Sequence, residues 1–212
     1  MNHIFRLLSA TFGLTLYAST ALALGPIDGE LGTIWWANSF QANNAAGNYS
    51  AGGYGIRGNL WLDNRWGLNG TMLQSDLNGI GLDSNNHYSF DIQRRIFSLS
   101  DNSYIALGLG WEQLNLANDS SAGSRLQISG RISLLGIAYL YGRSTWLPQL
   151  SDFAGYQDVS GTEHEAGISI TPFPFLSLRA GYRRFSLDFT NATGLGDSTE
   201  SNGFILGAGF HW

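Results

Sequence analysis

The last ten residues constrain this chain most. From Gly203 to Trp212, Phe204, Leu206, Ala208, Phe210 and Trp212 alternate with Gly203, Ile205, Gly207, Gly209 and His211. A period of two is that of a β-strand, so this stretch is a strand with one apolar face. The ends of water-soluble domains fray and are usually polar. A closed barrel in lipid has a use for such an ending: its last strand must pair with its first to leave no edge, and a terminal aromatic can lie at the membrane interface. An ordinary sandwich strand shows the same alternation, so the rest of the chain has to decide between them.

The N-terminus favours export. Met1 to Ala23 carries Arg6 near its start, an apolar run from Leu7 to Tyr17, and Ala21-Leu22-Ala23, a small-x-small cleavage pattern. This reads as a secretory signal peptide over 1–23, with the mature chain at 24–212. The apolar run is shorter than the ~20 residues of a spanning helix. No other stretch is apolar enough to cross as a helix, so a membrane protein here must be a barrel.

Composition agrees. The 28 glycines, 13% aromatics and only 4 prolines suit many short strands. Cysteine is absent, which excludes disulfides, thiol chemistry and cysteine-based metal sites. With Arg6 gone, ten arginines face sixteen acidic residues, a net charge of −6 that argues against nucleic acid. Every basic residue is arginine, whose planar fork suits fixed pairing with carboxylates. A barrel interior lined by Arg and Asp or Glu would be tightly cross-linked. Codon bias towards arginine would give the same composition.

Strands are expected at 28–40, 53–63, 66–73, 87–97, 104–112, 163–171, 176–183 and 203–212. The 125–141 stretch reads as one very long strand or as two short ones folded near 131–135, and the even strand count of bacterial barrels favours two. The total is about ten, with eight as the alternative. Long polar connections (41–52, 77–86, 116–124, 146–161, 190–202) alternate with short ones (63–65, 98–102, 172–174). That is the rhythm of a transmembrane antiparallel barrel with short periplasmic turns and longer extracellular loops. Strand parity turns Arg57, Asn59, Asp91, Gln93, Arg95, Glu112, Glu163, Glu165, Arg179 and Arg183 into the lumen. A hairpin centred near Phe173 would set Glu163 opposite Arg183 and Gly167 opposite Arg179.

From Leu147 to Leu187 the chain resembles the YfaZ-type outer-membrane proteins of Gram-negative bacteria. The resemblance is carried by Leu147-Pro148 with Leu150-Ser151, by Glu165-Ala166-Gly167, and by Pro174-Phe175-Leu176-Ser177 followed by Ala180-Gly181-Tyr182-Arg183. It implies an outer-membrane barrel and carries over no catalytic residues. The terminal strand also resembles the assembly signal of outer-membrane proteins, with Phe204, Phe210 and Trp212 as the residues met by the barrel-assembly machinery. Outer-membrane lipids and lipopolysaccharide are the other expected partners.

The sharpest enzymatic motif is His87-Tyr88-Ser89, similar to the His-x-Ser pair of outer-membrane lipid A deacylases. There serine attacks an ester, histidine takes its proton and a carboxylate, here Glu112, orients the histidine. Parity points His87 and Ser89 into the lumen, away from lipid, so lumen-lining residues are the plainer reading. Glu163-His164-Glu165 is no metal motif, because neighbours on a strand face opposite sides. Asp76, Asp83, Asp152 and Asp158 in the loops suit either solvation or divalent cations bridging lipopolysaccharide phosphates. Asn191-Ala192-Thr193 matches a glycosylation pattern without bearing on a bacterial envelope. The expected protein is a small barrel, structural or narrowly porous, without cofactor or metal; an outer-membrane lipid hydrolase is the alternative.

Overall fold

The computed structural model describes residues 27–42, 48–63, 65–76, 85–100, 103–116, 119–134, 136–152, 155–191 and 193–212. The expected signal peptide lies outside them. Ten antiparallel strands form one closed barrel: β1 (Ile27–Ala42), β2 (Asn48–Leu62), β3 (Trp66–Asp76), β4 (Asn85–Ser100), β5 (Ser103–Leu116), β6 (Asp119–Ser133), β7 (Ala138–Leu147), β8 (Gln157–Phe173), β9 (Leu176–Thr190) and β10 (Gly196–His211). Each strand pairs with its neighbours in sequence, and β1 closes on β10 with Trp35 opposite Leu206. Trp212 continues that seam: its backbone exchanges hydrogen bonds of 3.0 and 3.1 Å with Gly29. Among the described residues no helix is present.

The alternation sorts side chains by solvent. Trp35, Phe90, Leu109 and Phe204 point outward, with Leu109 62% and Phe204 69% exposed. An apolar belt around the whole wall would be an aggregation surface in water, and it suits hydrocarbon. At the end carrying the first and last described residues, Phe173, Phe175, Phe210 and Trp212 make a row of rings with centroids 6.1–6.2 Å apart. Such a row suits a membrane–water interface.

The strands outrun their apolar segments. β10 starts at Gly196, seven residues before the expected Gly203, and β8 and β6 likewise begin inside expected loops. Backbone pairing continues where side chains on both faces turn polar, so hydropathy loses the strand before the ladder ends. The connections at the loop end are consequently shorter than expected, and β5 passes to β6 through residues 117–118 alone. The 125–141 stretch divides into β6 and β7 around 134–137.

One register expectation needs correction. Glu165, not Glu163, lies opposite Arg183, and Ser169, not Gly167, lies opposite Arg179. The ladder runs past Pro172 to Phe173 opposite Leu176, with an irregularity between Ile170 and Phe173 that accommodates the proline. The slip is two residues, which leaves every side chain on its expected face.

Gly110 is required by the interior. It sits between Asp91 on β4 and Arg125 on β6, and a Cβ there would overlap the Phe90 carbonyl oxygen and crowd the Asp91 carboxylate. Gly110→Ala is expected to cost about 1–3 kcal/mol as an overpacked site, read as a lowered urea midpoint of protein refolded into vesicles. Gly52→Ala, where a Cβ meets nothing within 4 Å, should leave the midpoint unchanged.

Candidate functional site

The interior is built in three tiers. At the loop end an apolar plug fills the barrel: Ile34, Trp36, Leu73, Leu114, Leu147, Leu150, Val159, Phe185, Leu187, Phe189 and Ile205, with Tyr156 packed against them. Residues 148–152 help to close this mouth, because they fold in rather than out. Leu150 is buried, its N–H donates to the Val159 carbonyl at 2.7 Å, and the Ser151 N–H donates to the Ala122 carbonyl at 2.8 Å.

Beneath the plug lies a continuous ionic band. Arg125 is fully buried; its Nε is 2.9 Å from Asp91 Oδ1 and its Nη1 is 2.5 Å from Glu112 Oε2. Its Nη2 donates to Gln127 Oε1 at 3.0 Å and to Thr145 Oγ1 at 3.1 Å. Glu112 Oε1 is 2.6 Å from His87 Nε2, and Arg183 Nη2 lies 3.0 Å from His87 Nδ1. Arg183 Nε continues to Glu163 Oε1 at 3.0 Å, with its guanidinium over the Trp36 ring at 4.6 Å. Arg143 Nη2 joins Glu163 at 2.7 Å to Glu165 at 3.0 Å. Arg57 ends the chain with a two-pronged pairing to Glu165, both contacts 2.7 Å. Four arginines thus meet four carboxylates, and the charges balance. Paired, hydrogen-bonded charges are what a buried interior tolerates.

His87 is held at both ring nitrogens. A guanidinium only donates, so Nδ1 is the acceptor, and the 2.6 Å approach of a carboxylate places the proton on Nε2. No lone pair is left to take a proton from Ser89. In the ladder Glu112 lies opposite Ser89, and His87 lies opposite Leu114, so Glu112 reaches His87 by a diagonal contact. Both residues are buried inside the barrel. Ligand atoms of His87, Glu112 and Glu163 come within 4.8 Å of one another, a spacing that suits a metal ion. Each of the three also faces an arginine, and a cation entering there would have to displace one.

The third tier is a cavity of about 580 Å³ that opens at the end carrying Ile27 and Trp212. Arg57, Asn59, Gln93, Glu165 and Arg179 line it, with Trp61, Tyr104, Tyr139 and Tyr141 as its aromatic wall. Arg95 lies over the Trp61 and Tyr104 rings at 4.2 and 4.1 Å. Arg179 is paired with Glu30 at 2.7 Å.

All ten residues that parity assigns to the lumen therefore point inward, and the structure ties Arg57, Asp91, Glu112, Glu163, Glu165 and Arg183 into one band. Arg125, Arg143, Arg131 and Glu30 belong to the interior too. Arg125 and Arg131 lie in the 125–141 stretch whose strand division is ambiguous, and Arg143 just beyond it. The signal for Arg125 and Arg131 is the alternation of Arg125, Gln127, Ser129 and Arg131 with Leu126, Ile128, Gly130 and Ile132. His164 faces outward, 3.0 Å from Ser144 Oγ. Asp152 and Asp158 are exposed, Asp83 lies outside the described residues, and of Asp76 only the backbone is described. Asn191 serves its own turn, its Oδ1 accepting from the Thr193 and Leu195 N–H groups at 3.0 Å. Phe204 faces outward against Tyr182, while Phe210 and Trp212 belong to the aromatic row.

No family model matches the sequence, and no curated protein matches it. Among solved structures the chain is similar to the outer-membrane protease OmpT from Escherichia coli, at 10% identity over 89% of this chain and 97% of that one, with a TM-score of 0.52. The β domain of the Bordetella autotransporter BrkA (12% identity, 88% and 99% covered, TM-score 0.45) and Ail, the attachment invasion locus protein of Yersinia pestis (11%, 87% and 98%, TM-score 0.36), superpose more loosely. At such identities the likeness is one of architecture. The chain has the fold of an outer-membrane β-barrel.

Proposed function

We propose that this chain is exported through its N-terminal signal peptide and stands in the bacterial outer membrane as a closed, non-enzymatic barrel. On this reading its turns and termini face the periplasm, its partners are lipid, lipopolysaccharide and, during biogenesis, the barrel-assembly machinery. The YfaZ-type resemblance between Leu147 and Leu187 agrees with it.

The filled interior carries this reading. Arg125, Glu112 and Arg183 are each 0% exposed, and the Leu147–Leu150–Val159 plug sits above them, so a hydrated path from end to end has no room. Of the two forms expected for a small barrel, structural wall or narrow pore, this favours the first. The same interior weighs against a hydrolase, since the His87 ring is occupied at both nitrogens and Ser89 is walled from lipid.

The test is single-channel recording of refolded protein in planar bilayers, with the same sample assayed for fatty-acid release from lipopolysaccharide. Silence in both is the expected result. Stepwise openings would overturn the closed reading, and release abolished by Ser89→Ala would overturn the non-enzymatic one.

A further inference from the structure

We propose that the open tier of the barrel is a binding site for a small neutral polyol, a monosaccharide being the simplest member of the class. The cavity is blind, because the ionic band closes its inner end, and its volume of about 580 Å³ falls within the ~300–1,000 Å³ of small-molecule pockets. A blind pocket with one mouth retains a solute rather than passing it.

One side of the cavity wall is built of carboxamides. Asn59 and Asn69 stand opposite each other in the β2–β3 ladder and both line the cavity, so their side chains start about 5 Å apart. Gln93 and Gln127, which line it too, flank Gly108 of β5, the residue opposite each of them. A Cβ on Gly108 would lie 3.2 Å from Gln93 Cγ and 3.4 Å from Gln127 Cβ, so the missing side chain leaves room between the two amides.

These amides are under-used by the protein itself. Asn59 Oδ1 and Asn69 Oδ1 are buried acceptors and Gln127 Nε2 is a buried donor, and none has a hydrogen-bond partner among the described residues. Asn69 is 6% and Gln127 4% exposed, so a partner has to come through the cavity they line. Buried polar atoms without partners are costly, and a ligand that completes them is favoured. The set asks for both roles at once, and a hydroxyl is the group that donates and accepts at one point. The facing charges already have partners: Arg57 and Arg143 share Glu165, and Arg179 is paired with Glu30. A charged ligand would compete with those pairs, and a neutral one leaves them intact. Trp61 and Tyr139 add apolar ring surface for the C–H groups of a sugar.

The probe is glucose, added to the full refolded chain in sugar-free zwitterionic micelles at about pH 6, where carboxylates and amines are both charged, and followed by equilibrium dialysis against empty micelles. Saturable binding is expected, about tenfold tighter than that of glucuronate or glucosamine, which keep the ring and add a charge of either sign. Asn59→Leu and Asn69→Leu change no charge, and each should weaken glucose about tenfold, the loss of the hydrogen bonds that one amide makes to hydroxyls. Gel mobility shows whether each variant is folded, and either one alone suffices for the comparison. Arg184→Gln, on the outer wall, should bind glucose as the parent chain does. Absence of saturable binding, glucuronate or glucosamine binding as tightly as glucose, or undiminished binding by both asparagine variants would overturn the proposal. Dialysis is read without a bilayer, so failure here and failure of the closed-barrel reading are distinguishable.

Discussion

Arg125→Met should destabilise the barrel by about 3–5 kcal/mol, the cost of leaving buried charges without their partner. Arg125 touches Asp91, Glu112, Gln127 and Thr145 at once, from strands β4 to β7. Its removal takes from Asp91 the arginine it is paired with and leaves Glu112 only the His87 Nε2–H, and both carboxylates are fully buried. Arg125→Lys should rescue little, because a single ammonium cannot span the forked set of acceptors. The measurement is the urea midpoint in vesicles, followed by the gel-mobility difference between folded and unfolded barrel. The exposed Arg184–Glu200 pair, 2.6 Å apart with the arginine side chain 56% exposed, supplies the contrast: Arg184→Gln should leave the midpoint where it was. Equal effects of the two substitutions would show that the interior charges are hydrated.

Leu147→Ala is expected to cost about 2–5 kcal/mol, as for other large-to-small changes in a packed core. Leu147 is fully buried in the plug beside Leu150, Val159 and Leu187. The plug and the ionic band act in series, so this variant should lose stability and still carry no current in a planar bilayer. Conductance from Leu147→Ala alone would mean that the band beneath the plug passes ions.

Hydrophobic alternation was enough to orient the interior, because a strand in lipid has to repeat with period two wherever hydrocarbon touches it. Trp61 and Leu73 are apolar yet inward, in parity with Arg57 and Asn59 and with Asn69 and Thr71, although hydropathy alone would send them out. Parity, not polarity, places them. The same reasoning loses the strands once they leave the lipid: nothing in Gly196 to Asn202 alternates, yet it pairs with β9. Partners across the barrel are illegible in principle. Arg57 and Glu165 stand 108 residues apart and share no ladder, and their meeting depends on strand number and tilt. The diagonal contact of His87 with Glu112 is of the same kind: a residue's face is written locally, and its reach is not.

The ionic band also bears on how the barrel assembles. Its members come from β2, β4, β5, β6, β7, β8 and β9, and the seam between β1 and β10 joins residues as distant as Glu30 and His211. Hairpins can form one after another, but Arg57 has no Glu165 until the sheet curls fully round. Before that moment the charges must stay hydrated, and a half-curled sheet in hydrocarbon would carry them bare. Partly formed barrels are thereby penalised twice, by open edges and by solvent-starved charges, so insertion and closure become a single event and unfolding from the membrane becomes all-or-none.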